Sequence, residues 1–277
     1  MGSTYIQILT VLIQNIFLWI ILGAILTWLF SIPERFISKI VKYGVIWATA
    51  PCFIFSKVYL HLEVEKIPTA IEYACACLAF VLLAWLISSS LARKLPKETN
   101  KGAFNLTCLI QNYGFMAFAT VEELLGSSSL AEMFPFVVVG DFLMWSLGIS
   151  LVSQAKKISF KNMISPPAVA LVIAFIALTY EPDKLNHQPI WPIITFIASF
   201  NVPLALSTIG GLLFIIFKGI KFRSLFSKEV CLVLLHRNLL FPAISIAIIS
   251  ALFQNGNFKS FLYIEAIMPM AIMPVAI

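Results

Sequence analysis

The polar side chains most able to bind a small molecule lie inside long apolar stretches of the sequence. Asn112 sits about nine residues into the run 103–126, and its amide can donate a hydrogen bond to a carboxylate or accept one from a proton carrier. Gly114 would let the backbone approach a ligand or another helix closely. Pro269 lies at a matching depth in the run 258–277, where an interrupted helix directs free N–H groups towards an anion. These residues predict an anion site, with helix–helix packing and a simple kink as structural alternatives.

Three charged residues also fall within apolar runs. Asp141 lies near the middle of the run 133–155, where an ionised carboxylate is costly unless it is paired, protonated or facing a wet cavity. Arg237 could pair with a carboxylate or attract an anion, or its long side chain could reach the cytoplasmic interface. Glu265 is shallow enough in its run to reach the opposite interface. All three are candidates for coupling charge to ligand binding, and a structural role stays open for each.

Patterns typical of enzymes, metal sites and cofactor sites are missing from the sequence. It has no Gly-rich phosphate loop, no metal-spaced His/Cys/Glu cluster and no nucleophile elbow. Its five cysteines all lie in apolar runs, and an odd number of such thiols argues against a disulfide framework. We therefore predict no enzymatic activity, no metal and no cofactor.

The elements that position these residues follow from the composition. Of 277 residues, 60% are hydrophobic and only 12% are charged, whereas soluble domains carry about 25% charged residues. The apolar runs are long and apolar on every face, which predicts membrane-spanning helices and not an alternating β-barrel. The predicted class is an all-α, polytopic membrane protein with nine visible spans. They lie near 6–30, 36–56, 68–92, 103–126, 133–155, 164–180, 189–217, 229–253 and 258–277.

The basic residues test this segmentation, because Lys and Arg stay preferentially in cytoplasmic loops. Fourteen of the 19 fall in the loops after spans one, three, five and seven. We therefore predict a multi-pass protein of the cell membrane with its N-terminus outside. The net charge of +6 is explained by cytoplasmic anchoring, with anionic lipid as a further possibility, and requires no nucleic acid.

Prolines recur at related places in the two halves of the chain. Pro51 and Pro203 are 152 positions apart, and Asn112 and Pro269 are separated by 157. A repeat of five spans reverses its orientation in the membrane, as in many secondary transporters with broken helices. We predict a first repeat at 1–155 and a second at 156–277. The tenth span would be absent, and the bare apolar end of the sequence predicts a C-terminal truncation.

Several motifs, in order along the chain, resemble the auxin efflux carrier family. Asn201-Val-Pro-Leu-Ala-Leu-Ser-Thr-Ile-Gly-Gly211, a basic loop and His236-Arg-Asn-Leu-Leu-Phe-Pro242 are similar to its second half. Glu265-Ala-Ile-Met-Pro-Met-Ala271 resembles its Glu-Ala-x-Met-Pro-x-Ala segment. Ala50-Pro-Cys-Phe-Ile-Phe55 and Asn112-Tyr-Gly-Phe-Met-Ala-Phe-Ala119 resemble its Pro-x-Leu-Leu-Phe and Asn-x-Gly-Phe-x-Gly-x-Pro segments. The departures are Ala119, where the family usually has Pro, and Met273, where it usually has Asn.

The resemblance implies a 5+5 inverted-repeat transporter of ten helices, with helices four and nine broken. Spans one, two, six and seven would form a scaffold that makes a homodimer, and the other spans a moving unit. The function implied is secondary transport of a small organic anion, auxin-like or a dicarboxylate, by an elevator-like alternating-access mechanism. Two alternatives stay open. They are a sodium- or proton-coupled symporter of a related ten-helix fold, and a non-transporting membrane scaffold or degenerate fragment.

Overall fold

The structure, a computed structural model, describes residues 16–97, 99–109, 114–144, 146, 151, 165–180, 188–219, 227–254 and 256–268. Within these residues the chain is helical and contains no strand, so the prediction of an all-α membrane protein is confirmed. The helices, numbered in chain order, are α1 Leu18–Leu29, α2 Glu34–His61, α3 Val64–Ala92, α4 Lys101–Leu109, α5 Phe115–Leu143, α6 Pro166–Tyr180, α7 Trp191–Gly219, α8 Lys228–Leu252 and α9 Asn257–Ile267.

Four of these helices are long and apolar enough to cross a membrane by themselves. They are α2, α3, α7 and α8, with 25 to 29 residues each. At 1.5 Å per residue, 25 residues reach about 37 Å, more than the roughly 30 Å of a hydrocarbon core. α5 is two helices joined at Gly126, whose φ of 86° is in the left-handed region that glycine tolerates. Its two parts correspond to the end of predicted span four and the start of span five.

The chain folds into two compact units. The first contains the described residues within 1–69, 118–134 and 165–220. In this unit α1 packs on α7, and α6 packs on α2. The α1–α7 contact is close because a Cβ added to Gly23 or to Gly210 would lie well inside van der Waals contact with a backbone carbonyl oxygen of the other helix. Small residues permit this kind of approach between membrane helices.

Ion pairs join α2 and α3 to α5 within the same unit. Lys57 pairs with Glu122, and Lys66 lies 3.2 Å from a carboxylate oxygen of Glu132. Both acceptors are close in sequence to the bend at Gly126. The sequence did not predict these partners.

The second unit contains the described residues within 70–117, 135–164 and 221–277. Its core is a chain of edge-to-face aromatic rings from α3, α5, α8 and α9. Phe80 meets Phe136 at 5.9 Å and Phe241 at 5.6 Å, and Phe136 meets Phe261 at 5.2 Å between ring centroids. Such aromatic pairs stabilise the fold by more than the burial of their apolar surface alone would. One ring of this core, Phe241, lies under the guanidinium of Arg237.

Candidate functional site

Two helices of the second unit end far short of a membrane crossing. α4 has 9 residues and α9 has 11, so they extend about 14 and 16 Å, roughly half of the hydrocarbon core. Gly114, just before α5, has a non-helical backbone with φ −92° and ψ −114°. Met268, just after α9, is extended with ψ 136°, which is the conformation that a following proline imposes. Among the described residues, α4 and α9 therefore end close to the two places where the sequence predicts helices four and nine to be broken.

Arg237 of α8 connects the ends of these two half-helices. Its Nη1 donates to the carbonyl oxygen of Cys108 in the last turn of α4, at 3.3 Å. Its Nη2 donates to the carbonyl oxygen of Met268, directly after α9, at 3.2 Å. The residue is only 3% exposed and lies nine residues into α8, or about 14 Å along it. The guanidinium is therefore buried within the second unit, well inside the length of α8.

The local backbone of α8 presents Arg237 and its neighbour inward together. His236–Leu240 is a π-helical stretch, a form that recurs at functional sites in helices. A ring nitrogen of His236 lies 3.2 Å from the carbonyl oxygen of Ala84 on α3, and the imidazole stacks on Phe241. The guanidinium lies 5.4 Å from the centre of the same Phe241 ring, within cation–π range. These contacts hold Arg237 in one orientation.

Glu265 of α9 is the buried carboxyl beside this arginine. It is fully buried, and neither of its carboxylate oxygens has a hydrogen-bond partner among the described residues. Its charge interacts with that of Arg237, although no ion pair joins the two side chains in the described part of the chain. Arg237 Nε also lacks a partner there. The region thus holds unused donors and acceptors close together, which is costly unless another group satisfies them.

The remaining predicted residues are placed as follows. Asp141 is partly exposed on α5. A Cβ added to Gly114 would meet nothing within 4 Å among the described residues, so its backbone faces open space. Asn112 and Pro269, the other two predicted anion ligands, lie outside the described residues. The structure thus brings Arg237 and Glu265 together with the ends of both broken helices.

Sequence reasoning missed the oxygen atoms that Arg237 contacts. They are backbone carbonyls, which every residue has, so no residue type marks Cys108 or Met268 as a partner. It also passed over Asn105 of α4, whose amide oxygen is buried and has no partner among the described residues. The available signal was an amide in an apolar run, the same signal that selected Asn112. Within the described residues no group of His, Cys, Asp and Glu is arranged to hold a metal.

The fold and this site define a helical membrane protein in which two short helices end beside one buried cation. Residues 34–159, somewhat less than half of the chain, match the family model described as membrane transport protein. The match confirms the resemblance to the auxin efflux carriers and identifies the chain as carrying a transporter domain. No curated protein and no solved structure matches the chain.

Proposed function

We propose that the protein is a secondary carrier that moves a small organic anion, auxin-like or a dicarboxylate, across the cell membrane. The observation that supports this most directly is the buried guanidinium of Arg237 between two half-helices. A charge at this depth is costly and in membrane proteins usually marks a substrate or ion pathway. It supplies the positive potential that an anion needs in an apolar medium. A Cβ added to Gly114 meets no described atom within 4 Å, which supports the predicted role of Gly114 in leaving room for a substrate.

The proposed architecture is an inverted repeat of 1–155 and 156–277, and two internal contacts support it. In a two-fold arrangement, residues near the axis contact their own equivalents. Thr49 donates to Asn201 at 3.0 Å, and His236 contacts Ala84, and both pairs are separated by 152 positions. The same spacing separates Pro51 from Pro203. The reciprocal packing of α1 on α7 and α6 on α2 has the same symmetry, since the repeat pairs α1 with α6 and α2 with α7.

The proposed mechanism is alternating access of the elevator type. The second compact unit, which holds the candidate site, would carry the substrate, and the first, which contains α1, α2, α6 and α7, would be the scaffold and form the homodimer. The placement of basic residues supports an orientation with the N-terminus outside. One negative charge crossing 100 mV is worth about 2.3 kcal/mol, so an anion can be exported roughly fiftyfold uphill by the membrane potential alone.

The test is flux of labelled organic anions in proteoliposomes that contain the chain and a potassium diffusion potential. We expect a monocarboxylate such as an aryl acetate, or a C3–C4 dicarboxylate, to leave faster when the lumen is negative. Empty liposomes and a neutral amide analogue of the same acid are the controls. If neither acid shows flux under either sign of potential, the proposal is contradicted and a non-transporting scaffold is favoured.

A symporter driven by protons or sodium is the second candidate, and the unpaired carboxyl of Glu265 is the observation that favours it. It differs from the first candidate in what drives the flux. At zero membrane potential, a proton or sodium gradient would drive net anion uptake through a symporter. The same gradient would drive no net uptake through a carrier that depends on the potential alone.

A further inference from the structure

We propose, on the basis of the proposed transport function, that Arg237 is a tethered cation that permanently occupies the position of a coupled metal cation between the two broken helices. The carrier then needs no alkali cation, because its own guanidinium holds the site together.

The first step is the electrostatics of the helix ends. The last carbonyls of a helix have no partner within it, and they carry the negative end of the dipole, about −0.5 charge. α4 and α9 end beside the same side chain, so together they present roughly one negative charge. The guanidinium adds one positive charge and donates to one carbonyl of each end, at 3.3 and 3.2 Å. The negative ends of the two helices therefore stabilise the buried guanidinium of Arg237.

The second step is the kind of oxygen atoms present. Carbonyls at the C-terminal ends of half-helices coordinate Na⁺ in ion-coupled carriers, and hard cations favour carbonyl and carboxylate oxygens. The present region has this donor set, with the carbonyls of Cys108 and Met268 and the carboxyl oxygens of Glu265, which have no hydrogen-bond partner among the described residues. The difference is that a side chain of the protein supplies the cation.

The third step is that the cation cannot leave. Arg237 is 3% exposed, it lies over the Phe241 ring, and its neighbour His236 is anchored to Ala84 of α3. A free ion exchanges with solvent on each transport cycle, whereas a tethered one travels with the unit that carries it. The consequence is that anion flux and protein stability are both independent of sodium.

The experiment removes the tether and supplies a free cation. Arg237→Ala is compared with the wild type and with Arg93→Ala, a matched arginine that is exposed in the loop after α3. Thermal melting in detergent and anion flux are measured in choline chloride, sodium chloride and low millimolar guanidinium chloride. A hydrogen bond to a charged group is worth about tenfold or more in an equilibrium, so we expect at least a tenfold loss of flux and a lower melting temperature for Arg237→Ala.

We expect sodium or guanidinium to raise the melting temperature of Arg237→Ala and to restore flux several-fold, while the wild type and Arg93→Ala respond to neither salt. A sodium requirement in the wild type, or an Arg237→Ala protein that ignores both cations, overturns the inference. The melting readout needs no substrate. A cation-responsive variant of a protein with no anion flux would therefore contradict the proposed function and leave the cation site standing.

A second pair of variants covers the case in which Arg237→Ala does not fold. Arg237→Lys and Arg237→Met have unbranched side chains of similar length, and they differ in charge. Lys retains the charge but loses the two-pronged geometry, so we expect partial flux without a sodium requirement and several times more folded protein than for Met. Equal folded yields of the two variants would show that charge at this position is not what holds the site, and would overturn the inference.

Discussion

The tightest contact of the first unit, between α1 and α7, is tested by adding a single methyl group. A Cβ on Gly210 would lie well inside van der Waals contact with the carbonyl oxygen of Ile20, and this atom belongs to the backbone and cannot rotate away. The two helices must separate to accept it. Gly219 is the matched control, since it is the last residue of the same helix and a Cβ there meets no described atom within 4 Å.

The magnitude follows from two opposing contributions. Overfilling a packed contact costs about 1–3 kcal/mol, while Ala in place of Gly in a helix gains about 0.5–1 kcal/mol. We therefore expect Gly210→Ala to lower the free energy of unfolding by about 1–2 kcal/mol, equivalent to a melting temperature roughly 2–6 °C lower. Gly219→Ala should be neutral or slightly stabilising, because Ala is favoured over Gly in a helix and the added methyl group overfills no packed contact there.

The assay is thermal unfolding of the purified variants in one detergent, with Gly23→Ala and the double variant Gly23→Ala/Gly210→Ala alongside. Gly23 meets the carbonyl of Ser207 across the same helix pair. One separation of the helices relieves both clashes, so the double variant should lose less than the sum of the single losses. If Gly210→Ala melts at or above the temperature of Gly219→Ala, or if the two losses add fully, the close α1–α7 approach is wrong.

Three further predictions concern orientation and transport. In a background without native cysteines, Cys placed at Ser127 should react with an impermeant reagent from outside and Cys at Ser227 should not, and the reverse result would mean an inverted topology. Asn112→Leu should abolish anion flux without lowering folded yield, because it removes a polar group and retains apolar volume; wild-type flux would identify Asn112 as structural. Asp141→Asn should flatten the pH dependence of flux if this carboxyl exchanges protons during transport, with substrate binding largely kept. An unchanged pH profile would instead make Asp141 a structural residue.

The class of protein and the places where its helices break could be read from the sequence. Local backbone chemistry decides both kinds of feature. Long apolar runs form helices in a membrane because each backbone group must find its partner within the segment. Pro269 lacks an N–H and restricts the residue before it, so α9 ends at Ile267. Gly114 lies at the other predicted break and has a non-helical backbone there.

The partners of the charged residues could not be read in the same way. The sequence left open whether Arg237 pairs with a carboxylate, attracts an anion or reaches the interface. In the structure its hydrogen bonds go to the carbonyls of Cys108 and Met268, which lie 129 and 31 positions away. The full burial of Glu265 also depends on this packing of distant segments.

Sequence pattern therefore determined the composition of this protein's helices, their approximate limits and the polar residues inside them. Each of these features depends on residues within one helix, where the separation of two residues in the sequence also fixes the distance between them. Tertiary structure alone decided that two interrupted helices end beside one guanidinium, that Lys57 meets Glu122, and that α1 approaches α7 at Gly23. These contacts join distant segments, often through backbone atoms that all residues share, and only the packing of the helices selects among the many pairs that the side chains would allow.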